Sequence, residues 1–233
     1  MKVTWFGHSC IRIDMNNNGG TSSLLIDPFL KGNPTFDASG FSWADATKGI
    51  THVALTHGHA DHIGDTVEIC KATGAPLLAT YELALHLNGK GCKKIEPMNT
   101  GGTVYTPDFD LTLVNALHSS SGDAYFGNPN GIIVKPKSGP VVYHMGDTDM
   151  HAEMGLIAEF HKPQIGIVPI GDRFTMGGRA AAFACKKFFD FKMIIPVHFG
   201  TFPGMLDPDA STFTAEMAGH NVLLPKVGEA LGV

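Results

Sequence analysis

The chain has 233 residues, 43% of them hydrophobic and only 17% charged, with 17 basic against 22 acidic side chains. That length and apolar content exclude a disordered chain and suffice for a buried core. The net charge of −5 excludes nucleic-acid binding by bulk charge. The unusual figure is 12 histidines, because histidine is the commonest metal ligand and titrates near neutrality.

Cys10, Cys70, Cys92 and Cys185 are widely spaced and form no CxxC, so buried free thiols in a reducing compartment are expected. The N-terminal MKVTWFGHSCIRID interrupts any apolar run with Gly7, His8, Arg12 and Asp14, so no secretory leader is expected. No stretch reaches the roughly 20 apolar residues of a membrane-crossing helix. A soluble cytoplasmic protein without a membrane partner follows. A homo-oligomer is compatible with the sequence.

In chain order, Val3–Phe6 and Cys10–Ile13 read as a pair of strands. Asn16–Gly20 is a turn, and Leu24–Ile26 is a strand stopped by Asp27-Pro28. Lys31–Lys48 carries Gly, Pro, Ser and aromatics and reads as a long loop. His52–Leu55 is a buried strand running into THGHADH. Asp65–Ala72 has helical spacing and Gly74 closes it. Leu77–Ala79 is a strand, and Tyr81–Leu87 a helix stopped by Asn88-Gly89. Leu111–Leu117 alternates as a half-buried strand, and Ile132–Val134 and Val141–His144 are strands joined by Ser138-Gly139-Pro140. Helices over Met150–Phe160, Ala180–Phe189 and Asp207–Ala218 alternate with strands over Ile165–Ile170 and Met193–Val197. This order predicts one α/β domain over residues 1–233, two sheets faced by helices. Its polar motifs fall at the C-terminal ends of strands, where such sheets place their sites.

The densest chemistry is His57-Gly58-His59-Ala60-Asp61-His62, three histidines and an aspartate directly after a buried strand. Neutral imidazole and carboxylate in that density are what zinc, manganese or iron requires. Three further residues follow strands: His118, Asp147 in Gly146-Asp147-Thr148-Asp149, and His198 in Pro196-Val197-His198. Taken singly, each histidine fits a core position and Asp147 a helix N-cap. Their shared placement at strand ends favours the metal.

The HxHxDH motif with a later His, Asp and His resembles the metallo-β-lactamase superfamily. Gly7-His8-Ser9, Asp27-Pro28-Phe29, Met98-Asn99 with Gly101-Gly102, His118-Ser119-Ser120, Gly146-Asp147-Thr148 and Pro169-Ile170-Gly171-Asp172 extend the likeness. They resemble its branch of metal-dependent hydrolases related to ascorbate-6-phosphate lactonase. The resemblance runs from Val3 to about Pro208 and implies an αββα sandwich of two mixed sheets flanked by helices. It implies that His57, His59 and His118 hold one metal, that Asp61, His62 and His198 hold a second, and that Asp147 bridges them. Asp27 would support the HxHxDH loop through hydrogen bonds.

The implied cofactors are two divalent ions, zinc first, with manganese, iron and nickel also suited to N/O donors. The implied reaction is hydrolysis of a small-molecule ester, lactone or phosphodiester by a hydroxide bridging the two metals. Asp61 is a candidate base if only one metal binds. His8 is a candidate catalytic residue, as proton donor or substrate contact. Ser119 and Ser120 are candidate hydrogen-bond donors to substrate, and Arg173 a candidate anion contact. The loops 31–48, 119–130 and 171–178, with Phe36, Phe41, Trp43, Tyr125, Phe126 and Phe174, are expected to wall the pocket. Common dizinc β-lactamases have Cys where Asp147 stands, and flavodiiron reductases have Glu at the position of His59, so neither activity is implied. The other readings are a mononuclear iron oxygenase on the same fold and a non-catalytic metal-binding protein.

Overall fold

The computed structural model describes residues 1–17 and 20–233, so the centre of the expected turn Asn16–Gly20 lies outside the described residues. The first half contributes β1 (Lys2–Trp5), β2 (Ile11–Asn17), β3 (Gly20–Ile26), α1 (Pro34–Ser39), α2 (Trp43–Thr47), β4 (His52–Ala54), α3 (Ala60–Ile63), α4 (Thr66–Thr73), β5 (Leu77–Thr80), α5 (Tyr81–Lys90) and β6 (Ile95–Met98). There follow β7 (Thr103–Tyr105), β8 (Phe109–Asn115), β9 (Asn130–Pro136), β10 (Val142–His144), α6 (Met154–His161), β11 (Ile165–Pro169), α7 (Gly178–Phe188), β12 (Met193–Val197), α8 (Ser211–Glu216) and β13 (Ala230–Gly232).

Two mixed sheets result, with strand orders β13-β1-β2-β3-β4-β5-β6 and β12-β11-β10-β9-β8-β7. Strands β3 to β6 run parallel, as do β10 to β12, and the remaining neighbours are antiparallel. The sheets face each other across a core that includes Val3, Ile13, Leu24, Phe109, Leu111, Ile132, Ile167 and Val197. The outer face of the first sheet is covered by α1, α2, α4 and α5 through Phe36, Ala46, Ile69, Leu83 and Leu87. The outer face of the second is covered by α6, α7 and α8 through Met154, Ile157, Ala181, Cys185 and Phe213. This is the expected αββα sandwich. Burying apolar sheet faces on both sides is what gives the central strands their continuous apolar runs.

Several expected elements differ. The long loop 31–48 contains α1 and α2, each started by a side-chain cap: Asn33 accepts from the amides of Thr35 and Phe36, and Ser42 from that of Asp45. Helix α5 runs through Asn88-Gly89 to Lys90, because Leu83, Ala84 and Leu87 anchor it to the sheet. Helix α6 starts at Met154 with Glu153 at its N-cap, so Asp147 does not cap it. Strands β6, β7 and β13 and the one-turn α3 were not expected from the sequence. All four cysteines are free and buried, as expected. No helix among the described residues is long and apolar enough to cross a membrane.

Candidate metal centre

The seven sequence-predicted ligands converge at one edge of the sandwich. Strand β4 ends at Ala54, and the chain passes through His57 into α3, which presents Asp61 and His62. Strands β8, β10 and β12 deliver His118, Asp147 and His198 just beyond their C-terminal ends. Gly58 lets this turn press against the ring of Phe126: a Cβ there would meet that ring at 2.3 Å.

One oxygen marks the middle. Asp147 Oδ2 lies 3.0 Å from His198 Nε2, 3.3 Å from His62 Nε2, 3.6 Å from His118 Nε2 and 4.0 Å from His57 Nε2. On one side, His59 Nδ1 is 2.9 Å from His57 Nε2 and 3.2 Å from His118 Nε2. On the other, donor atoms of Asp61, His62, His198 and His8 lie within 4.8 Å of one another.

The surrounding hydrogen bonds fix which nitrogens face inward. Asp27 accepts from the Thr56 amide at 2.8 Å and from the Thr56 hydroxyl at 2.7 Å. With its proton so engaged, the Thr56 hydroxyl accepts from His57 Nδ1 at 3.0 Å, leaving the His57 Nε2 lone pair aimed at the centre. Asp27 also accepts from His62 Nδ1 at 2.8 Å, which orients that ring in the same way. The expected supporting role of Asp27 is therefore seen in its contacts.

Burial holds His57 well below the ordinary imidazole range, and it holds His59 and His118 below it, so these rings are neutral and able to donate to a cation. Burial opposes charge on Asp147, yet His198 and His62 hold its carboxyl well below the usual range. Burial likewise opposes charge on His62, but Asp147 and Asp27 push its pKa well above the ordinary value. The cluster thus favours positive charge at its centre. Among the described residues, buried His62 Nε2 and Asp147 Oδ1 have no hydrogen-bond partner. Inward-facing lone pairs of His57, His59 and His118, the carboxylates of Asp61 and Asp147, and the unpartnered buried Asp147 Oδ1 fit divalent cations, which on binding would displace the Nε2 proton of His62.

His8 reaches the site but sits behind Asp61, fully buried. Its Nε2 is 3.1 Å from Asp61 Oδ2, its Nδ1 is 3.0 Å from Thr201 Oγ1, and its carbonyl accepts from the His198 amide. Burial lowers its pKa to about 4. Burial also opposes charge on Asp61, but the His8 hydrogen bond and the charge of His62 override it and pull its pKa below the usual carboxylate range.

A cavity of about 340 Å³ opens on the centre. His59, Asp61, His118, Ser119, Asp147 and His198 line it, and Phe174, Phe202, Met205 and Leu206 complete its walls. Of the expected wall aromatics only Phe174 takes part. Phe36, Phe41, Trp43 and Phe126 pack into the core behind the first sheet, and Tyr125 is solvent-exposed. Phe202, Met205 and Leu206 were missed because they follow β12 in a segment without periodic pattern. Ser120 is buried and accepts from the Gly58 amide, so it braces the metal loop, while Ser119 faces the cavity. Arg173 lies in an adjoining cleft with Asp172 and Asp207. Two larger clefts, of about 670 and 680 Å³, border α6 and include His161, away from the candidate metal ligands.

Residues 2–198 match the family described as beta-lactamase superfamily domain. The chain is 49% identical to a UPF0173 metal-dependent hydrolase of Methylocella silvestris over 98% of both chains. It is 50% identical to a protein of the same name from Brucella anthropi over 94% of this chain and 93% of that one. Among solved structures it is similar to Igni18, a metallo hydrolase of Ignicoccus hospitalis, with a TM-score of 0.85, 33% identity, and coverage of 99% of this chain and 97% of that one. With its two-sheet sandwich and its histidine-aspartate cluster, the chain belongs to the beta-lactamase superfamily, alongside the UPF0173 metal-dependent hydrolases.

Proposed function

We propose that the protein, acting as one domain over residues 1–233, is a metal-dependent hydrolase that uses two divalent cations to cleave a small ester, lactone or phosphodiester. The observation carrying this reading is the position of Asp147 Oδ2, which four imidazole nitrogens approach within 3.0–4.0 Å from two sides. His57, His59 and His118 would hold one cation, Asp61, His62 and His198 the other, with Asp147 shared between them. The names of the relatives support the same class. Zinc suits this donor set, as do manganese, iron and nickel.

Bound there, two such cations would supply a nucleophilic hydroxide at neutral pH and would polarise the oxygen of the scissile group. The protein's own side chains do the rest. Asp27 and Thr56 hold the rings of His62 and His57 in the donating orientation. His8 positions Asp61 through its Nε2 contact and is itself tethered to Thr201. Ser119, at the cavity wall, offers a hydroxyl to the substrate. Four buried thiols agree with a cytoplasmic location.

Chelation should abolish hydrolysis of p-nitrophenyl acetate and bis(p-nitrophenyl) phosphate, and added zinc or manganese should restore it. His59→Ala should abolish both activities. One iron per chain with oxygen uptake and no hydrolysis would overturn this reading, since Asp61, His62 and His198 would then have no catalytic use.

A further inference from the structure

The cavity over the metal centre is chemically two-sided. Its floor is the histidine-aspartate cluster and Ser119, and its wall is Phe174, Phe202, Met205 and Leu206. Phe174 is 45% and Met205 47% solvent-exposed, so neither is there to fill the protein core. Apolar side chains left open around a polar reaction centre are the usual form of a pocket that binds apolar substrate groups.

The cavity lining contains no lysine or arginine. Arg173, the cation nearest in sequence to the wall, lies with its guanidinium 5.8 Å from the Phe174 ring centre and opens onto the adjoining cleft, beside Asp172 and Asp207. Phosphoryl groups are typically gripped by arginine or lysine forks in addition to metal ions. No such fork faces this floor. The volume of about 340 Å³ sits near the lower end of small-ligand pockets, roughly 300–1,000 Å³. That volume suits a group of short-chain size.

We infer that the substrate, taking the hydrolase reading as given, is an uncharged carboxylic ester, open or cyclic, whose short acyl chain lies on the wall of Phe174, Phe202, Met205 and Leu206. Water adds its oxygen to the acyl carbon and the acyl C–O bond breaks. The alcohol leaves with one proton of the water, and the acid gives the other to solvent. The wall then sets specificity by chain length.

The test uses the metal-loaded protein with p-nitrophenyl acetate, butyrate and hexanoate, and with p-nitrophenyl phosphate and bis(p-nitrophenyl) phosphate. Each methylene placed on the wall should raise kcat/KM about fourfold until the cavity is full, from about 0.8 kcal/mol per buried methylene. Calorimetry should show hexanoate binding more tightly than acetate. Met205→Ala and Phe202→Ala should each shrink the hexanoate-to-acetate ratio of kcat/KM several-fold. Equal kcat/KM along the series, or a phosphodiester preferred to every acyl ester, would overturn the substrate class and leave the hydrolase standing. Turnover of none of these esters would overturn the hydrolase reading with it.

Discussion

His8, Asp27 and His198 share a left-handed backbone conformation, with φ of 50°, 49° and 60°, that residues bearing a side chain seldom adopt. All three touch the metal centre, and each such position costs about 1–3 kcal/mol. The strain is held by buried contacts: the Trp5 indole donates to the His8 carbonyl, the Thr56 amide to Asp27, and the His198 amide to His8. Asp27 is the most consequential, because one carboxylate orients both His62 and Thr56, and through Thr56 also His57. Asp27→Asn replaces an acceptor by an amide NH₂ facing donors. It should weaken metal affinity about 10–100-fold, as loss of such supporting partners does elsewhere. Chelator competition measures this, and an unchanged affinity would show that Asp27 does not orient the metal-facing histidines. The seven metal candidates were legible because four are local and each of the others directly follows a strand. The placement of His8 behind Asp61 was not, since only tertiary packing brings residues 8 and 61 together.

At the level of elements, the site depends on how closely the turn after β4 lies against the loop preceding β9. Gly58 packs on Phe126, itself 2% exposed, and the Gly58 amide donates to Ser120. Gly58→Ala should therefore destabilise the fold by about 1–3 kcal/mol, as overpacking does. Adding Phe126→Ala should lower stability further rather than restore it, because losing this buried ring costs about 3–5 kcal/mol, more than the clash it relieves. Urea denaturation of the single and double variants checks both. A Gly58→Ala protein as stable as wild type would show that the loops move apart freely. Strands with long apolar runs were readable in advance. Strand β6 carries Pro97, β7 is three residues at a sheet edge, and β13 ends on Gly232, so these form through pairing with neighbours rather than through local preference. Helices α1 and α2 were hidden by a loop-like composition and are started by Asn33 and Ser42.

For the whole molecule, buried histidines couple stability to pH. His144 is fully buried, donates from Nε2 to the Ser9 carbonyl at 3.0 Å and accepts the Gly146 amide at Nδ1 at 3.1 Å. Burial lowers its pKa below the ordinary 6.5. The unfolded chain therefore binds this proton more readily. The stabilisation is full above about pH 6.5 and is lost as pH falls toward the folded-state pKa, at up to about 1.4 kcal/mol per pH unit. Comparing wild type with His144→Gln by urea denaturation from pH 5 to 8 should show a shallower acid loss in the variant, by about one proton. Equal slopes would mean that His144 titrates alike in both states.

The sandwich brings the candidate ligands that follow β4, β8, β10 and β12, with those on α3, to one edge, so metal ions bound there should tie its two sheets together. Metal analysis of protein dialysed against trace zinc decides whether this edge holds two cations around Asp147. Wild type should carry two ions per chain and Asp61→Ala one. A single ion in wild type, unchanged by Asp61→Ala, would contradict the two-cation centre.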